Sequence, residues 1–253
     1  VPVPYLDVPA SSLQRMFGIA DGDRPDAAII VGQWKQPAYF ERVRTIWPDA
    51  REVEGHSILI EVGGHRIWIS VVFGAAMAAT IAHLVVKLGA QAVLQIGSMG
   101  GLTDGWRVGD VLVPSQVIGR DGVSRQLSGN EPIDPDPRLS ADLAAELSSR
   151  LDRTTVRSGS LVSTTTIALE RTSDIARWRR SSYAGVDMEC AATLGMAMHF
   201  GARTAGAFVL MDNLVDQHTV FTLSDDDAQR IRVGKDAILR ASVAALSKAA
   251  PLA

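Results

Sequence analysis

Cysteine is nearly missing from this chain of 253 residues: Cys190 stands alone, so no internal disulfide can form. No Cys/His cluster has zinc spacing, and nothing in the sequence calls for a metal or a cofactor. Long apolar runs are missing as well. None approaches the roughly 18 residues that a bilayer-crossing helix needs, and the Pro-rich start, Val1 to Pro9, lacks the charged and apolar regions of a signal peptide. The expectation is a soluble, cytoplasmic protein without a membrane partner. An excess of positive charge is lacking too. The 25 Lys and Arg stand against 28 Asp and Glu, which gives no electrostatic footprint for a nucleic-acid backbone. A small neutral or anionic ligand remains open.

Apolar residues make up 47% of the chain, enough for one sizeable core. Short apolar runs rich in β-branched residues alternate with helical segments, which predicts parallel strands joined by helical crossovers. Strands are expected at 27–31, 57–62, 66–73, 92–96, 110–114, 159–163 and 205–211. The turn signal Gly63-Gly64 sets the early pair antiparallel, so the sheet is mixed. Residues 75–88 carry Met77, Ile81, Leu84, Val85 and Leu88 at helical spacing and stop at Gly89. Further helices are expected over 191–200 and from Asp225 to about Ser247, the second opened by three aspartates that complement its dipole. The fold class is therefore α/β: a single domain over 27–253, with a central mixed twisted sheet flanked by helices. An extended arm over 1–26 precedes it, and 124–137, rich in Gly, Asn, Pro and Asp, reads as a surface or gating loop.

Three segments carry the chemistry. Asp212 ends the apolar run Ala207-Phe-Val-Leu-Met-Asp212, where burial of a lone carboxylate is costly unless it caps the next turn or has a task. Glu189, in Gly185-Val-Asp-Met-Glu-Cys-Ala-Ala192, stands near a helix start, where its charge suits the dipole or serves a ligand. Leu94-Gln-Ile-Gly-Ser-Met-Gly-Gly101 follows a buried strand with a glycine-bearing turn that lets a ligand approach the backbone.

Together these segments resemble the nucleoside phosphorylase and nucleosidase family, which cleaves N-glycosidic bonds, and the resemblance spans about 27–247. It implies that Glu189 accepts hydrogen bonds from the ribose 2′- and 3′-hydroxyls while Met188 packs on the sugar. It also implies that Asp212 passes a proton toward N7 of a departing purine. The base-binding segment would be Ser163, Thr164 and Thr165 together with Asp212, although no aromatic stands there to stack on the base; Phe221 or Tyr183 could supply one. The family forms dimers, trimers or hexamers, so a homo-oligomer with a small-molecule nucleoside as its partner is expected.

The departures bear on the nucleophile. Phosphorylases of this family grip phosphate with three arginines, and the matching positions here hold Gln36, in the loop that begins at Gly32, Glu54 and Gln95. Each lost charge-assisted bond is worth about 1.5–3 kcal/mol, and Lys35 cannot reproduce a guanidinium fork. Only Gly32 and Ser98 of that site are retained. Water then becomes the expected nucleophile, yet the nucleosidase glutamate is replaced by Pro37, which leaves Glu54 as the candidate base. Gln36, Gln95 and Ser98 would bind a water or a polar group of the substrate. The expected reaction is hydrolysis of a nucleoside with a purine or purine-like base. The alternatives are phosphorolysis at a rebuilt phosphate site and non-catalytic nucleoside binding.

Overall fold

The computed structural model describes residues 5–151, 156–215 and 219–249, the side chain of Glu54 excepted. Among them one mixed sheet runs through the molecule. Its strands are β1 (Ala27–Gly32), β2 (Arg51–Glu54), β3 (Ser57–Val62), β4 (His65–Val72), β5 (Ala92–Gly101), β6 (Val111–Gly119), β7 (Val156–Ser163), β8 (Tyr183–Asp187) and β9 (Arg203–Asn213), in the order β2-β3-β4-β1-β5-β8-β7-β6-β9. Because β5 also pairs with β9, the last five strands close on themselves. The helices are α1 (Ala10–Phe17), α2 (Gln36–Ile46), α3 (Ala75–Leu88), α4 (Ser124–Ser128), α5 (Pro137–Ser148), α6 (Thr172–Arg180), α7 (Cys190–His199) and α8 (Asp225–Ala249). No helix among the described residues is long and apolar enough to cross a membrane.

Strand alternation sorts the core into two faces. Ile29 and Val31 of β1 and Leu94 and Ile96 of β5 join a cluster with α2, α5 and α8. Ala28, Ile30 and Val93 face the other way, toward α1 and α3. That parity matters at the site, because Gln95 must leave β5 on the face opposite Leu94 and Ile96.

Each predicted strand is present, and α3 spans the expected residues. Two strands go beyond the expectation: β2, a short polar edge strand, and β8, whose sequence Tyr-Ala-Gly-Val-Asp has little β propensity beyond Tyr and Val. The glycine turn expected over 97–101 is instead the far half of β5. Its last residues, Gly100 and Gly101, pair antiparallel with Val186 and Gly185 of β8 and so close the strand ring. The crossing is too tight for side chains: a Cβ on Gly185 would lie 2.5 Å from Met99 Sδ, and one on Gly101 would lie 2.7 Å from Leu210 Cδ1.

The expected arm over 1–26 is likewise not extended where it is described. Residues 1–4 lie outside the described residues, and α1 follows, with Leu13 and Ile19 buried in the α3 cluster. His83 of α3 ties the segment down through the Leu6 carbonyl at 3.0 Å. The loop over 124–137 contains α4, and Ile133 bridges to Val117 of β6. At the start of α8, Ser224 and Asp227 exchange hydrogen bonds as a capping box, with the Ser224 amide 3.0 Å from Asp227 Oδ2.

Candidate active site

β1, β5 and β9 are mutually parallel, and their carboxyl ends open on a cavity of about 340 Å³. Open α/β sheets bind ligands at such strand ends, and the volume suits a small molecule. Gly32 comes from β1, Ser98 from β5, Met188 and Glu189 from the turn after β8, and Asp212 from β9. The two carboxylates picked out in the sequence, Glu189 and Asp212, therefore share one cavity.

Glu189 is held from both sides. Asp187 Oδ2 accepts the amides of Glu189 at 3.0 Å and Cys190 at 2.7 Å, which anchors the start of α7. Asp187 Oδ1 accepts the Ser163 hydroxyl at 2.5 Å, and Ser163 Oγ in turn accepts the Ala191 amide at 2.9 Å. The Glu189 carboxylate receives the Gly74 amide on Oε1 at 2.8 Å. Gly74 has φ 83, a conformation that favours glycine. Burial, then the charge of Asp187, pushes the Glu189 carboxyl up to about 7. A Cβ on Gly32 would lie 2.7 Å from Glu189 Oε2, so glycine is needed there to leave that oxygen its place. Such a carboxylate can accept two neighbouring hydroxyls.

At the other end, Asp212 is buried and Glu170, just past a short 3-10 turn over Ile167–Leu169, lines the same space. Burial, then the charges of Asp212 and Asp174, pushes the Glu170 carboxyl up to about 7. A carboxyl raised in this way retains much of its proton near neutrality. Glu170 was not foreseen. The segment expected to bind the base sits slightly early: Ser163 is committed to Asp187, Thr165 is exposed, and neither they nor Thr164 line the cavity, whereas Ile167 and Glu170 do. One aromatic does line the cavity from another segment. Trp34, in the loop after β1, lines the cavity mouth with its ring 3.9 Å from that of Phe73. Phe221 is 94% exposed while its neighbour Val220 lines the wall, and Tyr183 packs with Trp178.

Among the described side chains, the third end is not built from the glutamines expected at the nucleophile site, Gln36 and Gln95. Gln95 is fully buried on the α7 face of β5, as strand parity requires; its Oε1 accepts Thr193 Oγ1 at 2.6 Å and its Nε2 donates to the Ile96 carbonyl at 3.2 Å. Gln36 begins α2 and donates to the Gly55 carbonyl, away from the cavity. Lys35 is exposed. Glu54 ends β2, with its backbone paired to Ser57; its side chain lies outside the described residues. Three strands separate β2 from β5 in the sheet.

Gly32 and Ser98 do line the cavity, and Lys235 of α8 joins them there. The same three, with Gln33, also line a recess of about 20 Å³ that runs toward Tyr39 and Ile238. Lys235 was missed because it lies deep in a long C-terminal helix. Its reach depends on Gly234, where a Cβ would lie 2.8 Å from Val209 Cγ2 and 3.3 Å from the Gly109 carbonyl, so α8 packs hard against β9.

The family model described as the phosphorylase superfamily matches residues 35–246. The chain belongs to the phosphorylase superfamily. No curated protein sequence matches it. Among solved structures, the fold is similar to that of purine nucleoside phosphorylase from Toxoplasma gondii in complex with immucillin-H. The TM-score is 0.77 at 19% identity, covering 91% of this chain and 94% of that one.

Within this superfamily fold, a second cavity of about 390 Å³ lies beside α5, β6 and β7, with Arg157 as its only charged residue among the described residues. It brings together no pair of acid and base groups. The cavity at the strand ends does, with Glu189, Glu170 with Asp212, and Ser98 with Lys235 at three separate ends, and we take it as the active site.

Proposed function

We propose that this chain cleaves the N-glycosidic bond of a purine-type nucleoside and transfers the sugar to water. The observation that carries the reading is the placement of Glu189 and Asp212 in one cavity. Glu189 accepts the ribose hydroxyls with Met188 against the sugar, and Asp212, with Glu170 beside it, delivers the proton that makes the purine a better leaving group. Proton delivery of this kind contributes about 10²–10⁴-fold.

Water as the acceptor is supported at the third end. Neither Gln36 nor Gln95 reaches the cavity, and the recess beside Ser98, at about 20 Å³, matches the space that one water needs. A second reading, phosphorolysis, draws support from one feature, the cationic side chain of Lys235 beside Ser98.

Release of free base from purine and pyrimidine ribonucleosides tests the proposal. The purified protein should liberate hypoxanthine from inosine, and Asp212→Asn should slow that release about 10²-fold or more. Saturable nucleoside binding without any release of base would instead make the chain a nucleoside-binding protein.

A further inference from the structure

Among the described residues, which leave out the Glu54 side chain, the hydrolytic reading leaves one role without a holder: the group that takes the proton from the attacking water. The nucleosidase position is Pro37, and Gln36 beside it is turned to the Gly55 carbonyl. Glu189 receives the Gly74 amide at the sugar end, and Glu170 and Asp212 stand at the base end. Resting on that reading, we propose that Lys235 is the general base, drawing the proton from a water held in the recess between Gly32, Ser98 and Tyr39.

The placement carries the proposal. Among the described residues Lys235 is the one basic residue that lines both the cavity and the recess, which puts it where nucleoside and water would meet. It makes no hydrogen bond or ion pair among the described residues, and its lone pair is not already engaged. Two groups that could claim it are otherwise occupied or inert. Asp236, next on α8, is paired with Arg42 of α2 at 2.6 Å. Burial pushes the Tyr39 phenol up, so Tyr39 keeps its proton and faces the recess as a neutral neighbour. Burial, then the Arg42 guanidinium, lowers the pKa of Lys235, which raises the share of free amine. Glu189 and Asp187, which line the same cavity, oppose that trend with the charge they carry. Gly234 keeps α8 packed on β9, which seats Lys235 in the same lining as Ser98.

The step balances without any further reagent. The water oxygen forms a bond to C1′ of the sugar as its proton passes to Lys235 Nζ. The electrons of the breaking C1′–N9 bond go to the purine, which takes a proton at N7 from the carboxyl pair at Asp212. The Lys235 ammonium then returns its proton to solvent.

Arginine separates a base from a mere cation, because a guanidinium keeps the charge and cannot accept a proton. Wild type, Lys235→Ala and Lys235→Arg are assayed with inosine, with and without ethylamine and inorganic phosphate, after circular dichroism confirms folding; Lys235→Met replaces the alanine variant if that one does not fold. The expected result is a loss in kcat of about 10²-fold or more in both variants, with partial recovery by ethylamine in the alanine variant only. Lys235→Arg at the wild-type rate would overturn the proposal, and phosphate-dependent turnover retained in that variant would make Lys235 an anion holder instead. Wild-type rates in Lys235→Ala would also overturn it. Each of these leaves nucleoside cleavage standing, whereas a wild type that releases no base from inosine, adenosine or guanosine removes the hydrolytic reading and the base with it.

Discussion

Ser163 and Asp187 share a buried hydrogen bond of 2.5 Å, and through it the end of β7 holds the turn that presents Glu189. Ser163 Oγ also accepts the Ala191 amide at 2.9 Å, so one hydroxyl ties two strands to a helix start. Ser163→Ala removes both bonds and leaves a buried carboxylate short of one partner. The expected loss is about 1–3 kcal/mol in urea unfolding. Discrimination between inosine and adenosine should not change, since Ser163 does not line the cavity. Altered base preference with unchanged stability would return Ser163 to the base site.

Glu189 joins sugar binding to a stability cost. Its carboxyl is raised from 4.5 to about 7, so the folded protein binds that proton more tightly than the unfolded chain. The associated stability is complete below about 4.5 and is lost as pH rises through about 7. Glu189→Gln removes the dependence. We expect the variant to match wild type in melting near pH 5 and to exceed it at pH 8 by on the order of 1–3 kcal/mol, while KM for inosine rises at least about tenfold. Thermal melting at the two pH values and steady-state kinetics check both halves.

Glu170 gives the reaction its alkaline limb. Its carboxyl titrates at about 7 because it is buried and faces the Asp212 charge, and the acid form of the pair is the one that can protonate the base. The kcat for inosine should therefore fall as pH rises through about 7, and the limb should leave that position in Glu170→Gln. A limb that stays in place would assign it to another group.

Gly234 tests how α8 is seated. In an isolated helix, Gly to Ala gains about 1 kcal/mol. Here a Cβ would meet the stiff Val209 side chain at 2.8 Å and the Gly109 carbonyl at 3.3 Å. Gly234→Ala should be net destabilising by about 1–3 kcal/mol and should lower kcat by displacing Lys235. Denaturant unfolding and kinetics report the two effects separately.

Much of this arrangement is legible in the amino-acid sequence. Strands at 27–31 and 57–62 and the helix over Ala75–Leu88 carry their own periodicity and stop signals, so local pattern suffices for them. Glu189 and Asp212 stand out because each ends or follows an apolar strand, although their meeting in one cavity depends on β8 running antiparallel and β9 parallel to β5. The direction of Gln95 is also within reach, since Leu94 and Ile96 on either side claim the opposite face. Other features depend on contacts distant in sequence. Lys235 joins Ser98 in the cavity lining through glycine packing between α8 and β9, and Trp34 lines the cavity from a loop that leans on Phe73. The strand over 97–101 is imposed by β9, which pairs with it throughout, and at Gly100 and Gly101 by β8, whose own five residues barely signal a strand.

The sugar product tests the central claim most directly. Inosine is incubated with the protein in phosphate buffer, and the pentose is followed by proton and phosphorus NMR. The account predicts free ribose at a rate that does not depend on phosphate, with no ribose 1-phosphate formed. Ribose 1-phosphate as the product, with no turnover when phosphate is left out, would contradict it.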